Sequence, residues 1–126
     1  MDYTSDLMRG KNLHGILFTP SELRHVLAAY SEGVLKKGWK DYAVDSLKDQ
    51  SIFSVIDHQG EEGSVALYSF SKNKSKKSGH SYFRLFYRDA QVLRTESFLE
   101  ALEMFRAVDK KDPKGRNIKK NLHIVS

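Results

Sequence analysis

One grouping of side chains in this chain joins charge to aromatic surface. Lys72, Lys74, Lys76 and Lys77 crowd together; Tyr82, Arg84, Phe86 and Arg88 then alternate, and Arg94 follows. Aromatic rings on a sheet face, flanked by Lys and Arg, can stack bases and hold phosphates. The same grouping also suits a solvated loop beside a sheet face that is covered by another protein, by a second copy or by the C-terminal segment. A second basic cluster, Lys110, Lys111, Lys114, Arg116, Lys119 and Lys120, has the composition of a solvated tail. Residues 1–71 carry a net charge of −3 and residues 72–126 a net of +8, giving +5 for the chain. Such sign asymmetry between halves is a cue for an anionic partner.

Other chemistries find less support. His14, His25, His58, His80 and His123 stand far apart, without a His-Glu-x-x-His or a calcium-loop pattern, so no metal site is expected. The chain has no cysteine, which excludes disulfides, thiolate ligands and a thiol nucleophile. There is no Gly-x-Ser-x-Gly, and scattered Ser, His and Asp become a triad only through a geometry that spacing does not supply. Gly60 and Gly63 flank Glu61 and Glu62, which repel phosphate, and no glycine–lysine nucleotide loop occurs. Asp41 and Asp45 fall on one face of an expected strand, about 13 Å apart at roughly 3.3 Å per residue, too far to share a proton. Their expected roles are a backbone cap near Trp39 and a cross-strand partner for a basic residue. Asp57-His58 reads as a solvated hairpin end. Trp39 either covers the core edge after a helix or serves as an exposed anchor for a partner. No catalytic residue, metal ligand or cofactor is expected.

These residues need elements to position them. The length of 126 residues suits one domain, and 40% hydrophobic with 29% charged residues is a globular composition. No apolar run approaches the roughly 20 residues that span a bilayer, so no membrane partner is expected. Met1–Gly15 lacks the pattern of a secretory signal, and the expected compartment is the cytosol. Thr19, Pro20 and Glu22 form a capping box that opens a helix over 20–37, with Phe18 and Leu23 at staple positions. Leu23, Val26, Leu27, Tyr30 and Val34 make its apolar stripe, and Gly38 its stop.

Beyond Gly38 the period changes to two. Strands are expected at 42–47, 52–57, 65–71, 82–87 and 92–95, with a long basic loop at Lys72–His80 and a turn at Arg88–Gln91. Phe83, Leu85 and Tyr87 should face the core, leaving Tyr82, Arg84 and Phe86 on the other face, with Arg94 beside Arg84. A second helix over 97–108 starts at Ser97, with Glu100 completing another capping box, and buries Ala101, Leu102 and Phe105. Pro113 and Gly115 follow its end. The connections are too short for parallel crossovers, so the sheet is an antiparallel meander. The expected fold is α+β: four to five antiparallel strands with two amphipathic helices packed on one face. Residues 1–12 form a flexible start, 13–109 the single domain and 110–126 a basic tail.

The stretch Gly38-Trp39-Lys40-Asp41-Tyr42-Ala43-Val44-Asp45, followed by Phe53-Ser54-Val55, is distinctive. With Phe18, Glu22-Leu23 and Tyr30 before it and Leu67-Tyr68 after it, it resembles a family of small alphaproteobacterial proteins catalogued as a domain of unknown function. The resemblance runs from Phe18 to Phe105. It implies a bacterial cytosolic origin and brings no assigned activity, cofactor or catalytic residue. The sequence therefore points to a non-enzymatic protein-binding or adaptor module, partnered by another protein or by itself. The alternative is a nucleic-acid-binding protein using the same basic and aromatic face.

Overall fold

A computed structural model describes residues 16–58 and 63–108. The expected flexible start, the Glu61–Glu62 loop and the basic tail after residue 109 lie outside the described residues.

The first helix, α1 (Pro20–Lys37), begins and ends as its terminal residues dictate. Thr19 Oγ1 accepts the Glu22 N–H at 3.1 Å, and the Glu22 carboxylate accepts the Thr19 N–H at 2.9 Å. Two N–H groups that a helix start leaves without partners are thereby satisfied. Gly38 stops the helix at φ 75°, a left-handed conformation that costs glycine little. Lys37 then reaches across to the other helix, donating Nζ hydrogen bonds to the carbonyls of Arg106 and Val108. A cation at a helix C-terminus satisfies orphan carbonyls and complements the negative end of the dipole.

Five strands follow: β1 (Asp41–Leu47), β2 (Gln50–His58), β3 (Ser64–Lys74), β4 (Ser81–Tyr87) and β5 (Ala90–Thr95). Each pairs antiparallel with its neighbour, so spatial order equals chain order and the sheet is a meander. Bulges at Val55/Ile56 and Leu85/Phe86 interrupt the register. Helix α2 (Phe98–Ala107) closes the domain. Ser97 caps it by accepting the Glu100 N–H, but the second half of the expected capping box is not made. The Ser97 N–H donates instead to Thr95 Oγ1 at 3.0 Å, because the strand leading into the helix brings that hydroxyl within reach.

Both helices cover one face of the sheet. Tyr30 packs on Phe53, Phe98 on Phe83, and Phe105 meets both Phe53 and Phe70 with ring centroids 6.3 and 5.5 Å apart. Leu23, Val26, Leu27 and Tyr30 of the expected α1 stripe and Ala101, Leu102 and Phe105 of α2 are buried, with Phe53 and Val55 of β2 beneath them. Val34 is not: it is 42% exposed. The core takes Gly33 instead, because the Trp39 indole lies flat against its backbone. A Cβ at Gly33 would fall 2.0 Å from the ring. Trp39 is buried at the core edge, as its packing role requires, and stacks near Tyr30 and Phe105.

A second correction concerns the basic loop. Strand β3 continues through Lys72 and Asn73 to Lys74, so the loop spans only residues 75–80. Lys72 is 9% exposed and lies on the helix side, its ammonium 5.7 Å from the Phe83 ring centre and 2.7 Å from Glu22 Oε1. A lysine stem covers apolar surface well when its charge finds a partner. The carboxylate that caps α1 also ties that helix to β3.

Candidate functional site

The face away from the helices carries every second residue of the strands. On β3 these are Ser69, Ser71 and Asn73; on β4 they are Tyr82, Arg84 and Phe86. Cross-strand pairing sets Arg84 against Ser71 on one side and Arg94 on the other. Two arginines directly opposite on neighbouring strands repel each other, a pairing that weakens a sheet.

In a meander, the β1–β2 and β3–β4 turns emerge at the same end of the sheet. Here the Lys74 N–H donates to the Asp49 carbonyl at 3.0 Å, joining the two hairpins. The β3–β4 loop is drawn in by two backbone bonds, Ser75 N–H to the His80 carbonyl and Gly79 N–H to the Ser75 carbonyl. Gly79, at φ 73°, supplies the turn that this closure needs. Together the two turns and the end of the open face border a shallow, open concavity of about 640 Å³. Lys48, Lys74, Lys76, Lys77, Arg84 and Arg94 line it, with Asp49 the one carboxylate.

Short contacts fix the arginines within it. The Arg94 guanidinium carbon lies 4.2 Å from the Tyr82 ring centre. That of Arg84 lies 5.2 Å from Phe86 and 5.9 Å from Tyr82. Arg84 Nη2 donates to Asn73 Oδ1 at 3.2 Å, and Asn73 Nδ2 donates to Ser71 Oγ at 3.0 Å. Arg84 Nε is buried with no acceptor among the described residues. Among those residues the ion pairs are His58–Asp41, Lys72–Glu22 and Arg106–Glu32, so none neutralises a cation of the concavity.

The structure therefore divides the candidate residues. It gathers Lys74, Lys76, Lys77, Tyr82, Arg84 and Arg94 into one site. Phe86 lies on the same face, beneath Arg84 and outside the lining. Lys72 belongs to the helix-covered face. Arg88 sits at the opposite end of β4 from the lysine loop, roughly 20 Å along the strand, with its guanidinium on Tyr87. Strand direction separates it from the field that proximity in sequence suggests. Lys48, Asp49, Gln50 and Asn73 are members the sequence reading missed. Their signal was available: lysine in the first turn, and the rule that alternate hairpins of a meander share an end.

A second polar cluster lies at the other end of the sheet. His58 Nε2 is 3.2 Å from Asp41 Oδ2, and His58 Nδ1 is 2.7 Å from Ser64 Oγ. Asp, His and Ser in a hydrogen-bonded line are the parts of a nucleophilic triad, assembled from residues that spacing left apart. Here register explains it, since His58 and Ser64 are cross-strand partners. The His58 and Asp41 side chains are 54% and 50% exposed, so water competes for every bond. A triad works where water is excluded and donors await the oxyanion. This line of bonds clasps β1, β2 and β3 together. It gives Asp41 the cross-strand basic partner expected of it, while Asp41 Oδ1 also accepts the Tyr42 N–H. Burial pushes the nearby Tyr30 phenol up, and the Asp41 charge adds to that shift.

No helix among the described residues is long and apolar enough to cross a membrane. The model of a family described as a protein of unknown function matches residues 16–102, more than half of the chain. Comparison with curated proteins and with solved structures found no match.

Proposed function

The chain belongs to the family DUF2794, whose description carries no activity, so we propose from the site alone that it is a non-enzymatic binding module. Its ligand surface is the concavity at the end of the open sheet face, and its ligand is a polyanion. One observation carries this reading: six cationic side chains converge there against one carboxylate, and none is in an ion pair among the described residues. Concentrating like charge on a folded surface costs stability, and an anionic partner removes that cost. An adaptor role uses this surface for an acidic segment of another protein; a nucleic-acid role uses it for phosphates.

Titration at low salt with a glutamate-rich peptide and with a short oligonucleotide, followed by amide resonances, tests the reading. At least one polyanion should shift residues 48–50, 73–77, 82–84 and 94 and leave the far turn at 88–89, α1 and α2 unmoved. The Lys76→Gln/Lys77→Gln double variant should weaken binding several-fold. If neither polyanion moves these resonances, the concavity is a solvated surface and the reading falls.

A further inference from the structure

We infer that the polyanion is single-stranded nucleic acid, held by base stacking on the exposed side of the Arg94–Tyr82 pair; this rests on the binding-module reading above. An acidic peptide asks only for positive charge. The concavity offers more than charge. Arg94 lies on the Tyr82 ring at 4.2 Å, close enough for a guanidinium plane stacked on an aromatic face. Arg94 is exposed, so its guanidinium is accessible to a ligand. A nucleobase is a flat π surface, and bases of single strands stack on aromatic rings and on guanidinium planes alike. Lysine has no plane and could not replace Arg94 in this role.

The rest of the site supplies what a strand needs. Lys74, at the end of β3, and Lys76 and Lys77, on the loop, lie beside the stack, where they can track a phosphate backbone. Gln50 brings an amide group to the same wall, able to hydrogen-bond a base edge or a ribose hydroxyl, while Asn73 holds Arg84 in place. Arg84 contributes a second guanidinium. Its buried Nε N–H has no acceptor among the described residues. A phosphate that drew the side chain outward would give that N–H a partner. A duplex hides its base faces in its own stack, so it could use the lysines and not the Arg94 plane.

Fluorescence anisotropy on the full chain tests this with three labelled probes of equal length: a single-stranded oligonucleotide, its duplex and a glutamate peptide. The single strand should bind at least several-fold more tightly than either. Its log affinity should fall against log salt with a slope of about −3, for four phosphates at about −0.7 each. Arg94→Lys keeps the charge and removes the plane; it should weaken the single strand at least about 5-fold, and by a clearly larger factor than it weakens the glutamate peptide. Tyr82→Leu removes the ring that holds the Arg94 plane in place and should weaken the single strand several-fold. Thermal unfolding of both variants checks that they fold. If the glutamate peptide or the duplex binds as well as the single strand, or if a folded Arg94→Lys binds as the parent does, the inference is overturned while the binding module stands. If no probe binds, both fall.

Discussion

Two rows of side chains cross all five strands one residue apart, and they lead opposite lives. Val44, Phe53, Phe70, Leu85 and Leu93 form one row; Asp45, Ile52, Ser71, Arg84 and Arg94 form the next. The first faces the helices, and Phe53, Phe70 and Leu85 in it are fully buried. The second faces away, runs from a carboxylate on β1 to two opposed arginines on β4 and β5, and ends at the concavity. The same backbone hydrogen bonds hold both rows. Their side chains differ because one row gains free energy by leaving water, whereas the other keeps Asp45 and Arg94 in water and Arg84 partly so, where like-charge repulsion is weaker. Stability therefore resides on the helix-covered face, and the proposed binding rests on the charge carried by the other.

The harshest way to break this contrast is to hollow the buried row. Phe70→Ala should cost about 3–5 kcal/mol in denaturant unfolding, the range for a truncated core aromatic. A loss under about 1 kcal/mol would mean that the helix-covered face is not the core. Overfilling comes next. Gly33→Ala forces a methyl group into the Trp39 ring and should cost about 1–3 kcal/mol, with a changed Trp39 fluorescence spectrum.

Lysine substitutions sharpen the contrast further. Lys72→Gln removes the partner of Glu22 from a nearly buried position and should cost about 1.5–3 kcal/mol, the scale of a hydrogen bond to a charged group. Lys76→Gln, in the exposed loop, should stay within about 0.5 kcal/mol. Equal losses at the two positions would erase the distinction between the faces. On the open row the sign reverses. Arg94→Glu replaces a like-charge pair by an opposite one and should raise stability by up to about 1 kcal/mol, while polyanion binding is lost. A variant that gains stability and keeps binding would remove Arg94 from the site.

The smallest expected effect depends on pH. The Arg106 side-chain hydrogen bond holds the Glu32 carboxyl below its ordinary range, with the nearby Arg106, Lys36 and Lys37 charges adding to it. A depressed carboxylate pKa contributes stability above the unfolded value and loses it as pH falls through the folded one. Arg106→Gln should therefore lower stability slightly at neutral pH and flatten the acid limb of the stability–pH curve, the variant and parent converging in acid where Glu32 is protonated in both. An unchanged acid limb would show that the pair contributes nothing there.

The helices, their caps and the meander were legible in the sequence because each rests on local rules. Thr19 and Glu22 need only three residues to close a capping box, and Phe83, Leu85 and Tyr87 need only a period of two to choose a face. The open-face trio Tyr82, Arg84 and Phe86 followed from the same alternation, and Arg94 beside Arg84 from a short hairpin. What sequence alone left undecided depended on partners distant along the chain. Lys72 looks like its lysine neighbours until Glu22, 50 residues away, is brought beneath it. Val34 and Gly33 are both placed one helical turn after Tyr30, and only the Trp39 ring decides that the residue without a side chain faces inward. Arg88 follows the alternating strand without interruption, yet strand direction carries it to the far end. Lys48 enters the concavity because hydrogen bonds across the sheet bring the first and third turns to one end. Periodicity assigns a residue to a face; which charge meets which partner is set by register and packing, and those exist only once the chain has folded.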